Sequence, residues 1–143
     1  MYNTEEIKMI ATCGINCGGC PAHLCKDNPQ MLEAIKSKAL NKELVPCNGC
    51  RPNQGKCAFH EGDCATYECA VKKGVDFCFE CNEYPCSKLY PCADKAEVLP
   101  HNMKILNLTY IQKYGIREFL KQYTDIFTRY YKGKMSIGKG PQL

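Results

Sequence analysis

The spacing of apolar residues divides the chain into two unlike parts. Beyond Cys92 the apolar positions recur every three or four residues. Met103, Leu106, Tyr110 and Tyr114 share one helical face, with Ile105, Leu108 and Ile111 alongside, and Gly115 reads as a helix stop. Ile116, Phe119, Leu120, Tyr123, Phe127 and Tyr130 then carry the period onward. This pattern predicts an amphipathic helical hairpin over residues 93–132 that packs on the rest of the chain, its aromatic stripe serving as core. The last stretch, 133–143, is rich in glycine and lysine and is expected to be a flexible tail.

Upstream the periodicity is interrupted. Met1 to Ile10 is short and partly amphipathic, a strand or a helical turn. Asn28-Pro29 places an N-capping side chain before a proline at the first helical position. Met31, Leu32, Ile35, Ala39 and Leu40 follow at helical spacing, which predicts a core helix running to about Glu43. Cys64 to Lys73 has few breakers and reads as a second helix, ended by Gly74. The remainder of 10–92 is punctuated by glycine and proline and is expected as loops, turns and short helices.

Cysteine changes this picture. The chain holds 13 cysteines in 143 residues, and they are counted in its 45% of hydrophobic residues. Without them the apolar content is modest and tryptophan is absent, so bridges or metal are expected to supply part of the stability. The N-terminal residues show no basic stretch leading into an apolar run, and no segment approaches the roughly 18 apolar residues that span a membrane. A cytoplasmic chain with reduced thiols is expected, and there a cysteine cluster binds metal more often than it forms disulfides. An odd count of cysteines also fits a fully paired scaffold badly. The formal charge of +4 suggests nucleic acid at first sight. A four-thiolate zinc site carries two net negative charges, however, so two such sites offset that excess.

The spacing of the cysteines carries the chemistry. Cys17 and Cys20, Cys47 and Cys50, and Cys78 and Cys81 are each separated by two residues, which lets a tight turn aim both sulfurs at one ion. The densest stretch runs from Cys64 through Cys69, Cys78 and Cys81 to Cys86, with Gly74 and Pro85 as turns. Cys13, Cys17 and Cys20 also have the spacing with which radical S-adenosylmethionine enzymes hold an iron–sulfur cluster, but this chain is too short for the barrel those enzymes need. Of the histidines, His23, between Cys20 and Cys25, is a ligand candidate; His60 and His101 have no ligand spacing. No phosphate-binding glycine loop, Ser-His-Asp order, paired-histidine zinc motif or thioredoxin context appears, so the chain is not read as an enzyme.

Taken together, Cys13-Gly-Ile-Asn-Cys17-Gly-Gly-Cys20-Pro-Ala, Cys47-Asn-Gly-Cys50-Arg, the stretch Cys64–Cys86 and the segment Asn102–Leu120 resemble the domain of unknown function 3795 family of small cysteine-rich prokaryotic proteins. The resemblance covers most of the chain and carries ten cysteines: Cys13, Cys17, Cys20, Cys47, Cys50, Cys64, Cys69, Cys78, Cys81 and Cys86. It implies metal binding, most often zinc, and no established reaction. Cys25, Cys57 and Cys92 have no place in its pattern, and a terminal cysteine pair seen in some relatives is missing.

The expectation is one small metal-stabilised domain over 1–143, α-rich and irregular, with a cysteine-rich knuckle region followed by the helical hairpin. Two four-thiolate sites are anticipated. Cys17, Cys20, Cys47 and Cys50 would form one, with Cys13 able to displace a member. Cys78, Cys81 and Cys86 would form the other, completed by Cys64 or Cys69. A third site could draw on Cys25, Cys57 or Cys92. Three functional classes follow: a structural zinc module that presents a surface to a protein partner, an iron–sulfur redox protein holding [4Fe-4S] clusters, or a zinc protein that binds nucleic acid. For the last, Phe77, Phe79, Tyr84 and Tyr90 interleave with the second cluster, but Asp76, Glu80 and Glu83 oppose Lys72, Lys73 and Lys88.

Overall fold

In the computed structural model, which describes residues 2–143, two C-terminal helices lie against a cysteine-rich body of loops and short helices. These helices are the longest elements. To number the elements in chain order, α1 is Thr4–Ile7, α2 Pro21–Leu24, α3 Pro29–Lys38 and α4 Ala65–Lys73. The C-terminal pair is α5, Lys104–Tyr114, and α6, Ile116–Lys132, followed by strands β1, Lys134–Ser136, and β2, Gly140–Gln142. Short 3₁₀ turns fill the connections, among them Cys17–Gly19, Cys25–Asp27, Cys78–Glu80 and Ser87–Leu89. No helix among the described residues is long and apolar enough to cross a membrane.

Local chemistry accounts for these elements. Asn3 caps α1 by accepting from the Glu5 amide, and Asn28 caps α3 by accepting from the Met31 amide, with Pro29 at its first position. Helix α3 stops at Lys38, short of the expected Glu43. The amides of Leu40 and Asn41 instead donate to the Ala58 carbonyl, at 2.9 and 3.0 Å, so a long-range bond replaces the next helical turn. The predicted α4 is present, ending at Gly74 in the left-handed region. Gly115 separates α5 from α6, as the hairpin pattern requires.

The main core joins both parts of the chain. Ile7 and Ile10 from the N-terminal segment, Phe77 and Leu89 from the cysteine region, and Leu108, Ile111, Ile116 and Phe119 from the helical pair form one buried cluster. The buried face of α5 differs from the predicted one. Leu108 and Ile111 are buried with Asn107, whereas Leu106 and Tyr114 are exposed. Asn107 sits inside because its side-chain amide donates to the Gly14 carbonyl at 2.9 Å, satisfying a loop oxygen. On α6 the aromatic stripe is a ladder, Phe119–Tyr123–Phe127–Tyr131, with centroid spacings of 5.7, 5.6 and 4.7 Å. Only its Phe119 end is fully buried, while Leu120 and Phe127 are exposed, so the stripe is core at one end and surface at the other.

A second, smaller core lies under α3. Ala22, Cys25, Ala39, Val45 and Ala58 are buried there, with Met31, Leu32 and Ile35 packed against them. Helix α3 thus covers this core with half-buried residues and buries none completely.

The segment expected as a flexible tail forms an antiparallel hairpin in which Met135 pairs with Pro141. Positive φ at Gly138 and Gly140 lets the chain reverse, and Arg129 of α6 donates to the Pro141 carbonyl at 3.1 Å.

Candidate metal centre

All 13 cysteines are free thiols. Several stand at the starts of helices and turns. Cys20 precedes α2, Cys64 precedes α4, and Cys17 and Cys78 begin 3₁₀ turns.

The N-terminal loop, the Cys47–Cys50 turn and the start of α4 meet around one set of thiols. Arg51 pins this junction. Its guanidinium donates to the Ile10 carbonyl at 2.7 Å and the Asp76 carbonyl at 2.6 Å, and lies 5.0 Å from the centroid of the Phe77 ring. Gly49, at φ +102°, faces Met9 so closely that a Cβ would lie 3.2 Å from the Met9 sulfur. The Cys47-x2-Cys50 turn is therefore pressed onto the strand-like segment that leads to Cys13. Burial pushes the Cys17 thiol up to about 12, over the opposing pull of a hydrogen bond from the Cys50 amide, with Cys13, Cys20 and Cys47 adding to the rise. Burial likewise lifts Cys50 to about 12, and here the neighbouring thiols are Cys17, Cys13 and Cys64. Cys13 is raised by burial too, with Cys64 beside it and Lys104 opposing. Cys50 thus lies among Cys13, Cys17 and Cys64, and Cys17 also has Cys20 and Cys47 nearby.

A second set surrounds a partly enclosed cavity of about 60 Å³ under α4, lined by Cys69, Cys78, Cys81 and Cys86 together with Ala70, Val75 and Leu89. The Cys78 amide donates to the Thr12 carbonyl at 2.9 Å, which places this set directly beside the first. Burial raises Cys78 to about 12, and Cys13, Cys86, Cys69 and Cys81 contribute. Cys81 goes the other way. The Glu83 amide and the Lys73 ammonium donate to its sulfur, at 3.4 and 3.2 Å, and hold its thiol below the usual range. Lys73 is itself paired with Glu83.

A third neighbourhood includes Cys20 and Cys47. The Cys47 sulfur accepts from the Gly49 amide at 3.4 Å and the Asn53 side chain at 3.3 Å. Burial raises Cys20, against the nearby Ala22 amide, and the thiols around it are Cys57 and Cys47.

Among the described residues, no three histidine, cysteine, aspartate or glutamate side chains form a group that could hold a metal ion. The donor set nonetheless suits a thiophilic ion: neighbouring sulfurs, several with N–H donors aimed at them, the outer-shell pattern of a thiolate site. The ten cysteines singled out from the sequence fall into these three neighbourhoods.

Of the remaining cysteines, Cys25 is fully buried and its thiol donates to the Ala22 carbonyl at 3.4 Å. Cys57 and Cys92 are exposed. His101 and Asn102 fasten the Cys92 backbone, at 3.0 Å from its carbonyl to the His101 ring and 2.8 Å from its amide to the Asn102 oxygen. His23 donates through Nδ1 to the Cys47 carbonyl, 2.7 Å away. His60 has a long contact to the Asp63 carbonyl rather than to a neighbouring carboxylate. The donors Lys73, Glu83 and Asn53 were not anticipated. Only Glu83 lies close in sequence to the sulfur it serves; Lys73 and Asn53 reach theirs across a turn and leave no signal in the spacing.

Residues 9–91 match the family described as Protein of unknown function (DUF3795). The match takes in more than half of the sequence, and the chain belongs to this family. Comparison with curated proteins and with solved structures found no match.

Proposed function

We propose that the chain is a structural zinc-binding module whose metal-fixed surface docks a protein partner. Its two four-thiolate groups are Cys69, Cys78, Cys81 and Cys86, and Cys13, Cys17, Cys50 and Cys64. The observation that carries the reading is the small cavity under α4 lined by four cysteines from three separate short segments. Four sulfurs suit the tetrahedral coordination that zinc adopts in closed sites. The group of Cys13, Cys17, Cys50 and Cys64 departs from the pairing expected from spacing, because Cys50 has Cys17, Cys13 and Cys64 as its neighbouring thiols.

Bound zinc would hold the thiolates together and supply folding energy; the residues themselves set the geometry. Arg51 joins the loops, Lys73 and the Glu83 amide favour the Cys81 thiolate, and the α5–α6 pair backs the assembly. A nucleic-acid role has less support, since Phe77 is buried, Phe79 stacks on it at 5.3 Å and Tyr84 bonds to α5, leaving Tyr90 as the exposed aromatic.

The test is anaerobic purification followed by a visible spectrum and elemental analysis. A colourless protein with at least two zinc ions per chain is expected. A brown protein with several irons per site would replace zinc with an iron–sulfur role in electron transfer.

A further inference from the structure

The chain carries both halves of a contact on its own surface: an apolar groove with an acidic edge, and a basic hairpin with an apolar tip. We propose that the docked partner is a second copy of this chain, the C-terminal hairpin of each protomer seated in the α1–α6 groove of the other, so that a two-fold symmetric dimer closes. The inference rests on the reading that the folded surface docks a protein, and not on the metal that fixes that surface.

The groove is an open trough of about 600 Å³ where α1 and the Cys17–Gly19 turn face α6. Met9, Leu24, Leu120, Tyr123 and Phe127 make it apolar, and Leu24, Leu120 and Phe127 are left exposed within the chain. The charged residues along its wall are Glu5 and Glu6. Glu6 is paired with Arg117 at 2.5 Å, whereas Glu5 has no ion pair among the described residues. An apolar face with one acidic edge is covered best by an apolar segment flanked by positive charge.

The hairpin has that composition. Ile137 at its turn is 97% exposed and Met135 on β1 74%, the highest values for large apolar side chains among the described residues. Lys134 and Lys139 flank them, residues 133–143 include no aspartate or glutamate, and neither lysine has an ion pair among the described residues. The hairpin does not fill its own groove, because it is packed on the end of α6. Arg129 donates to the Pro141 carbonyl at 3.1 Å, and a Cβ on Gly133 would lie 2.7 Å from Pro141. From Tyr123 in the groove to Gly133 at the base of the hairpin is about 15 Å along the helix, at the rise of an α-helix per residue. Two α6 helices laid antiparallel about a two-fold axis between these points bring each hairpin alongside the other's groove, with the Phe127–Tyr131 end of the ladder between them. This exchange covers both apolar surfaces at once and sets Lys139 of each protomer against the partner's Glu5.

Sedimentation velocity of the whole chain over a concentration series is expected to show a species of twice the 16.1 kDa chain mass and none larger. Ile137→Asp should raise the dimer dissociation constant roughly tenfold or more, while the thermal midpoint of the dilute monomer stays that of the wild type. Lys139→Glu should weaken the dimer severalfold, and Glu5→Lys added to the same chain should recover part of the loss. A monomer throughout the series, or a dimer that Ile137→Asp leaves intact, would overturn the proposal. Assemblies that grow beyond two copies would overturn the closed exchange. Zinc content measured on the same samples keeps the two readings apart. A zinc-loaded monomer would remove the dimer and leave the zinc module standing, and a metal-free dimer would do the reverse.

Discussion

Arg51 ties the cysteine loops together from one side chain. It spans Ile10, Asp76 and the Phe77 ring, three points brought together only by the fold. Arg51→Ala leaves two carbonyls short of a charged donor and is expected to cost about 2–4 kcal/mol, read by denaturant unfolding of the loaded protein. Arg51→Lys should recover little, since one ammonium cannot reproduce the fork and the stacked plane. Gly19 makes a second residue-level case. A Cβ there would lie 2.8 Å from the Tyr123 ring, which roofs the Cys17–Cys20 turn. Gly19→Ala should therefore destabilise the protein by about 1–3 kcal/mol, and Tyr123→Leu in the same chain should relieve part of the loss. If the double variant were simply additive in thermal unfolding, the contact would not be the cause. Arg51 follows Cys50 and Gly19 precedes Cys20, so both are visible in the sequence as neighbours of cysteines. Their partners at Phe77 and Tyr123 are far away along the chain, and no spacing rule reaches that distance.

At the scale of elements, periodicity marked the α5–α6 pair, the stop at Gly115 and the α4 cap at Gly74, since each depends on local geometry. It misplaced the buried face of α5. A polar residue, Asn107, is drawn inward by the Gly14 carbonyl, and a pattern of apolar residues cannot register that. Helix α3 ended early for a similar reason, its next amides being taken by Ala58. Knuckle spacing does not sort the cysteines into groups: Cys17 and Cys20 start adjacent turns and share Cys47 as a neighbour, while Cys17 also has Cys13 and Cys20 also has Cys57. The α6 ladder gives a contrast that measures how the helices are seated. Phe119 is 0% exposed and Leu120 43%. Phe119→Ala should cost about 3–5 kcal/mol and Leu120→Ala under about 1 kcal/mol, compared by urea denaturation. Equal losses would mean that α6 is rotated from the position described.

For the whole molecule, two cores of unequal size meet through the cysteine loops, so stability is tied to the state of the thiols. Cys17, Cys50 and Cys78 are held at about 12 against an ordinary value of 9.0, chiefly by burial. In the metal-free chain the folded form keeps these protons more tightly than the unfolded form does. The stability they contribute is fully present below pH 9 and is lost as pH rises towards 12. The urea midpoint of chelator-treated protein should therefore fall over that window. In zinc-loaded protein the thiolates are already deprotonated, and the midpoint should change less there. On the proposed zinc reading, removing the metal at pH 7 should also lower the thermal midpoint, since neighbouring sulfurs would then lack a shared ion.

The most direct measurement is the mass of the same anaerobically purified sample under native and under acid-denaturing conditions. The account predicts a native mass greater by at least two zinc ions, each having displaced protons from the thiols that hold it. Equal masses in the two spectra would contradict it.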